Sequence, residues 1–138
     1  MRFENTIADL LGRGIAARFH ATGESMSPTI RSGEHVRVAP VSPHSLRIGD
    51  VVLVRAERGL TVHRVVEITP DGITTRGDNT LRRDPAVRHQ HILGRITHVE
   101  REGATVTVPT APLRIRVVAR NLHRALLFSL SQLIRSLL

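Results

Sequence analysis

The chain has 138 residues, 41% of them apolar, which suits a single globular domain with one core. It contains no cysteine, and this excludes a disulfide framework, a thiolate metal site and a cysteine nucleophile. The net charge of +8 favours anionic partners such as acidic lipid headgroups, but the absence of tryptophan and tyrosine argues against single-strand nucleic-acid binding.

The first predicted element is a short amphipathic helix within residues 1–16, with its regular part over residues 5–16. Its apolar positions recur at helical spacing: Ile7, Leu10, Leu11 and Ile15. Asn5 or Thr6 is the expected cap. Charged residues interrupt this region, so it has neither the apolar run of roughly 7–15 residues of a signal peptide nor the run of about 20 of a spanning helix. We therefore expect a cytoplasmic or peripheral membrane location.

Residues 17–108 predict a β-rich domain, because short apolar or alternating runs are separated by turn signals. The predicted strands lie at about 17–22, 35–38, 51–54, 60–66, 73–76, 91–99 and 104–108. The sequence Thr69-Pro70-Asp71-Gly72 is a strong hairpin signal. The predicted fold class is mainly β, a compact and coiled antiparallel barrel or sandwich with a terminal helix at each end.

Residues 109–138 predict a basic amphipathic helix at the C-terminus. Apolar residues recur every three or four positions from Val118 to Leu137, and arginines fall outside this stripe. Three interpretations are open: the helix packs on its own domain, lies in a membrane interface with its arginines against anionic headgroups, or pairs with a partner helix.

The segment most informative about function is Gly23–Ile30, with the sequence Gly-Glu-Ser-Met-Ser-Pro-Thr-Ile. A Gly-x-Ser-Met-x-Pro-Thr run followed by apolar strands resembles the nucleophile segment of the signal peptidase and self-cleaving repressor superfamily of serine peptidases. The resemblance implies that Ser25 is the nucleophile. Backbone N–H groups near Ser25, in the segment that includes Gly23 and Met26, are the expected oxyanion and substrate contacts. Ser27 is a lower-ranked alternative nucleophile.

The predicted base is His63. All 20 basic residues are arginine, so the serine–lysine dyad of many members of this superfamily cannot form. The segment Leu60–Val66, Leu-Thr-Val-His-Arg-Val-Val, looks like the base-bearing strand of the endoplasmic-reticulum-type signal peptidases, in which the base is histidine. Histidine accepts a proton near neutral pH without the deep burial that a lysine base requires. The resemblance is therefore closest to that subgroup.

Two aspartates are candidates for the third catalytic group. The segment Arg76–Asp84 resembles the Gly-Asp-Asn box of the same superfamily, which implies that Asp84 is the catalytic carboxylate and that Asp78 orders the loop. On chemistry alone, Asp78 would orient the histidine equally well. The segment His91–Ile96 looks like the strand that closes the core of these enzymes, so the resemblance covers residues 17–100.

Together these features predict a serine endopeptidase of the signal peptidase type that removes a leader or signal segment from a polypeptide. The resemblance implies an extended substrate beside an edge strand, with small residues before the cut and no metal or cofactor. Expected partners are a peptide or precursor protein, with peripheral membrane contact through the C-terminal helix and no nucleic acid.

Alternative functions remain open. The chain could be a non-catalytic peptide-binding module, or a self-processing regulator with Gly14–Ala17 as the only short candidate cleavage segment. Glu24 is closer to the self-cleaving repressors than to the signal peptidases. A nucleic-acid binder is supported only by charge.

Three histidines are weak candidates for a metal site: His89, His91 and His98. They are weak because no carboxylate lies at a helpful spacing from them.

Overall fold

Eight antiparallel strands form one curled sheet, a half-barrel, and a short helix precedes them. The computed structural model describes residues 2–110 and 133–137. Its elements are helix α1 (Arg2–Gly12) and strands β1 (Ala17–His20), β2 (His35–Ala39), β3 (Val51–Ala56), β4 (Gly59–Thr69), β5 (Gly72–Arg76), β6 (Val87–Arg88), β7 (Ile92–Arg101) and β8 (Ala104–Thr107). The predicted mainly β fold is confirmed, and all seven predicted strands are present.

The strand order is β1-β2-β7-β3-β4-β5-β6, and β8 pairs with β7. The predicted hairpin is present between β4 and β5, where Thr69 pairs with Gly72 across the turn Pro70-Asp71. A second tight turn joins β7 to β8 through Glu102 (φ 51°) and Gly103 (φ 77°). Two successive residues with positive φ match the twist of the flanking strands, so this hairpin closes without splaying them.

The sheet buries apolar side chains on both faces. Val51 and Leu53 of β3 belong to the larger core cluster, whereas Val52 and Val54 belong to a second one. All four are at most 1% exposed. This explains why β3 has a continuous apolar sequence, since a strand that is covered on one face only would alternate apolar and polar residues.

Helix α1 begins and ends earlier than predicted. It starts at Arg2, so the expected caps Asn5 and Thr6 lie inside the helix. Its end is set by Gly14, whose φ of 77° is the left-handed conformation that terminates many helices. The N–H of Gly14 donates to Leu11 O at 3.0 Å, and the N–H of Ile15 donates to Leu10 O at 2.9 Å. These two bonds satisfy carbonyl groups of the last turn and direct the chain into β1.

The predicted C-terminal helix lies largely outside the described residues. Residues 133–137 are helical and exposed, whereas residues 111–132 and 138 of the predicted range are not described. Among the helices of the described part of the chain, none has the length and apolarity needed to cross a membrane. The membrane and partner-helix interpretations of this segment stay predictions.

Candidate active site

Three separate segments bring the predicted site residues together. Ser25 lies in the turn region between β1 and β2, His63 lies in β4, and Asp84 follows β5. The β4–β5 pairing aligns Arg64 with Arg76, so the residue after β5, Gly77, faces His63. The loop that leaves β5 therefore passes beside His63.

The side chains of Ser25, His63 and Asp84 form a continuous hydrogen-bonded chain. Ser25 Oγ lies 3.0 Å from His63 Nε2, and His63 Nδ1 lies 2.5 Å from Asp84 Oδ2. His63 is only 8% exposed. Because a carboxylate can only accept, it holds the proton on Nδ1 and leaves Nε2 as an acceptor facing the serine hydroxyl. This arrangement allows the imidazole to remove the serine proton.

Asp84 is fixed by Thr75 of β5. Thr75 Oγ1 donates to Asp84 Oδ2 at 2.7 Å, and the Asp84 N–H donates to Thr75 O at 2.8 Å. Thr75 is 1% exposed and pairs with Val65, on the same face of the sheet as His63. The rigid strand therefore sets both the position of the carboxylate and the oxygen that faces the imidazole.

Asp78 binds Arg64 and not the histidine. Arg64 Nε and Nη2 donate to the two oxygens of Asp78, each at 2.8 Å, and Thr29 Oγ1 donates to Oδ2 at 2.6 Å. The remaining guanidinium nitrogen, Nη1, donates to the carbonyls of Gly49 and Pro109, both at 2.7 Å. Arg64 is fully buried, so this paired and hydrogen-bonded arrangement is what makes the buried charge tolerable. The contact with Thr29 connects the Asp78 loop to the nucleophile segment.

Asn79 and Gly77 hold the backbone around Ser25. The N–H of Asn79 donates to Ser25 O at 2.8 Å, and its side-chain amide donates to Glu24 O at 3.1 Å. A Cβ on Gly77 would lie 2.5 Å from Ser25 O and 3.1 Å from His63 Nε2. Only glycine allows the loop to approach the nucleophile and base this closely.

The predicted oxyanion and substrate residues lie beside Ser25. Gly23 has a φ of 83° and is exposed, and its N–H donates to Ser32 Oγ at 3.2 Å. Met26 is 4% exposed, belongs to the larger core cluster and accepts from the Asp78 N–H through Sδ at 3.4 Å. Both residues line the cleft that contains Ser25 and His63. The oxyanion role of the backbone N–H groups near Ser25 stays a prediction.

A cleft of about 510 Å³ opens onto Ser25 and His63. One wall is the end of β1 and the residues after it, and the opposite wall is the start of β4. The lining residues that these walls and the floor contribute are Phe19, His20, Ala21, Thr22, Met26, Ile30, Leu53, Leu60, Thr61 and Val62. In the described sheet, β1 is an edge strand, and β5 pairs with β4 only from Arg64 onward. Within residues 2–110, both walls therefore present strand edges that no other strand pairs with, and an extended peptide could join them.

Sequence reasoning did not identify four residues that support this site. Thr75 and Arg101 carry no sequence signal, because their contacts join segments that are distant in the chain. Asn79 belongs to the Gly-Asp-Asn box, but the resemblance gave it no role of its own. Arg101 Nη2 reaches the carbonyls of Pro28 and Thr29, both at 3.3 Å. Arg64 did carry a signal: it follows His63 in a predicted strand, so it points to the opposite face and needs a carboxylate there.

Among the residues that the structure describes, the histidines near residue 90 belong to no cluster of metal-ligating side chains. Within residues 2–110 and 133–137, no three histidine, aspartate or glutamate side chains form a group that could hold a metal ion. His89 Nε2 lies 3.1 Å from Pro70 O, and its ring stacks on His44 with 4.7 Å between centroids.

Comparison with known proteins identifies the family. None of the curated proteins matches the chain. The family model described as Peptidase S24-like matches residues 11–97, well over half of the chain. This range contains Ser25, His63, Asp78 and Asp84 and seven of the eight strands, although β7 continues past residue 97. The chain therefore belongs to the Peptidase S24-like family.

Proposed function

We propose that this chain is a serine endopeptidase that cuts another polypeptide and removes a leader or signal segment from it. The observation that carries the proposal is the Ser25–His63–Asp84 hydrogen-bonded chain, with Ser25 Oγ at 3.0 Å from His63 Nε2, at the edge of a cleft with unpaired strand edges. Membership of the Peptidase S24-like family supports serine peptidase chemistry in general.

In the proposed mechanism, Ser25 Oγ attacks the carbonyl carbon of the scissile bond while His63 Nε2 accepts the hydroxyl proton. Asp84 stabilises the imidazolium that forms. His63 then gives its proton to the leaving amine, and the peptide C–N bond breaks to leave an acyl ester on Ser25. Water, activated by the same imidazole, hydrolyses the ester and regenerates the hydroxyl group.

The substrate is proposed to bind as an extended strand in the cleft. The sheet order β1-β2-β7-β3-β4 contains four antiparallel steps, so β1 and β4 run in the same direction and both lead toward the catalytic pair. A peptide between them would take backbone hydrogen bonds from the edge strands. The floor under the peptide is apolar, since Met26, Ile30 and Leu53 line it. This favours short apolar side chains next to the cut.

Cleavage in trans is favoured over self-processing at Gly14–Ala17. Ala17 is 9% exposed and pairs with Val38 in the sheet. For this segment to enter the cleft, β1 would have to leave the sheet, and β1 supplies one wall of the same cleft. A cut in this segment would therefore require the substrate-binding site to come apart.

The binding-module alternative needs the cleft but not the catalytic side chains. A peptide-binding domain has no use for a buried histidine that joins a serine to a carboxylate. Thr75 further fixes the carboxylate through two hydrogen bonds. This ordering of Asp84 favours the enzyme over the binding module.

Peripheral membrane contact through the C-terminal helix is a further part of the proposal. It would bring the cleft close to membrane-bound precursors. Its support is the sequence pattern of residues 113–138, in which arginines flank an apolar stripe. Sedimentation with anionic vesicles would test it.

The test of the activity compares the wild-type protein with Ser25→Ala and Ser27→Ala. Each is incubated with a library of randomised dodecapeptides and with candidate precursor peptides, and products are identified by mass spectrometry. We expect cleavage by wild type and by Ser27→Ala, and none by Ser25→Ala. Cleavage that survives in Ser25→Ala would overturn the proposal. If all three proteins bind peptides and none cuts them, the binding module replaces it.

A further inference from the structure

The first turn of α1 lies at the far end of the cleft that contains Ser25. Phe3 and Glu4 both line this cleft. The Phe3 ring meets the Phe19 ring edge-to-face, with 6.1 Å between centroids and an interplanar angle of 76°. Glu4 lies on the other wall, because a Cβ on Gly59 would be 2.7 Å from Glu4 Oε1. One helical turn therefore bridges the starts of the two walls.

The position of this turn along the cleft follows from the strands. Gly59, which lies against Glu4, is the first residue of β4, and His63 comes four residues later. At about 3.3 Å per residue, Gly59 is about 13 Å along the strand from His63. An extended substrate also spans about 3.3 Å per residue. The residue that reaches Phe3 is therefore three to five residues from the scissile bond.

At the end of the cleft that is formed by the first turn of α1, Phe3 offers an aromatic, apolar surface, and polar residues lie beside it. Phe3 is 56% exposed, so it has free surface to offer, whereas Phe19 beneath it is 8% exposed. Glu4 and Arg58 line the cleft with opposite charges and contribute no net charge there. A bulky apolar side chain can cover the exposed ring and remove its surface from water. A charged side chain would gain nothing comparable.

We propose that Phe3 is a specificity-determining residue that selects a bulky apolar side chain, such as Leu, Met or Phe, three to five residues from the scissile bond. This rests on the proposed function for the position of the cut. It assigns a substrate contact to helix α1, whose first nine residues lie outside the range that matches the family.

The experiment profiles peptides against matched variants. The dodecapeptide library is digested by wild type, Phe3→Ala, Phe3→Leu and Ile15→Ala, and the products are aligned on their cut sites. Ile15 is the control, because it is 44% exposed, follows the same helix and does not line the cleft. The same library is also captured on Ser25→Ala and on Ser25→Ala/Phe3→Ala, and the retained peptides are sequenced. Thermal unfolding confirms that each variant is folded.

In the peptides that wild type cuts, we expect bulky apolar residues to be about fivefold more frequent than in the starting library at one position, three to five residues from the cut. This is a modest value for a half-exposed pocket. Phe3→Ala should lose that enrichment only, while Phe3→Leu and Ile15→Ala keep it. An unchanged profile in Phe3→Ala would overturn the inference, as would an equal loss of preference at every position.

The capture arm separates this inference from the proposed function. If peptides are retained on Ser25→Ala but wild type cuts none, the peptidase proposal fails. The retained peptides then test Phe3 directly, because their apolar enrichment either disappears in Ser25→Ala/Phe3→Ala or persists and refutes the role. If nothing is cut or captured, both proposals are wrong.

Discussion

His63 and Arg64 are neighbours in β4 whose side chains reach two different aspartates of the same loop. His63 Nδ1 lies against Asp84, and Arg64 donates two hydrogen bonds to Asp78. Successive residues of a strand point to opposite faces of the sheet, so one strand separates the two carboxylates. As a result, we expect a substitution of Asp84 to lower the rate of the reaction. We expect loss of the Asp78–Arg64 pair to lower the stability of the fold.

The Asp84→Asn variant should lose activity while staying folded. An amide can donate to Nδ1, which would place the imidazole proton on Nε2 and leave no acceptor for the Ser25 hydroxyl. We expect kcat to fall by about 10⁴, with a change in the midpoint of thermal unfolding of only a few degrees. Peptide cleavage rates and circular dichroism measure the two effects. Asp71→Asn, in the exposed β4–β5 turn, is the control. A loss of less than about tenfold would show that Asp84 does not orient the histidine.

The Arg64→Met variant should instead lose stability. It removes the two hydrogen bonds from the Arg64 guanidinium to the buried Asp78 carboxylate and the two that Nη1 donates to the carbonyls of Gly49 and Pro109. Breaking a buried ion pair from one side lowers the free energy of unfolding by about 3–5 kcal/mol. Urea denaturation measures this. The exposed Arg95→Met should change stability by no more than about 0.5 kcal/mol, and a similar small effect at Arg64 would contradict the structural role.

Sequence reasoning recovered the strands because their pattern is local. The alternation in β2, the apolar run in β3 and the turn Pro70-Asp71 each need only a few consecutive residues to recognise. Strand β6 was missed because two residues cannot display a period. The end of α1 was misplaced because the left-handed conformation of Gly14 overrides the apolar spacing that continues to Ile15.

The residues of the candidate site could be proposed from the sequence, but their contacts could not. Ser25, His63 and Asp84 follow from the resemblance, whereas chemistry alone does not decide between Asp78 and Asp84, because that choice depends on the course of one loop. The contact of Phe3 with Phe19 joins residues of two elements, and no periodicity predicts which end of a helix will face a cleft. Contacts of this kind arise from the curl of the sheet and carry no local signal.

The Gly77→Ala variant tests the close approach of the loop to the nucleophile. Its Cβ would lie 2.5 Å from Ser25 O and 3.1 Å from both Ser25 Cβ and His63 Nε2, so the backbone would have to move. We expect kcat/KM to fall at least about 100-fold, as displacements near 1 Å do in active sites, and stability to fall by about 1–3 kcal/mol. Gly12→Ala is the matched control, because a Cβ there meets nothing within 4 Å. Full activity in Gly77→Ala would refute the steric argument.

The Glu34→Gln variant tests an ion pair that anchors the nucleophile segment from behind. Arg101 donates to the Glu34 carboxylate at 2.6 and 2.8 Å, and the same guanidinium reaches the carbonyls of Pro28 and Thr29. The hydrogen bonds from Arg101 hold the pKa of Glu34 below its ordinary value near 4.5, although burial opposes them.

Because the folded-state pKa of Glu34 is lowered, its contribution to stability is fully present above about pH 4.5 and is lost as the pH falls through the folded value. At pH 7 we expect Glu34→Gln to be less stable than wild type by about 1 kcal/mol, since the pair is partly exposed to solvent. Urea denaturation between pH 7 and pH 3 should show this difference narrowing, while the exposed Glu57→Gln matches wild type at pH 7. A difference that stays constant down to pH 3 would mean that the carboxylate charge does not anchor the segment.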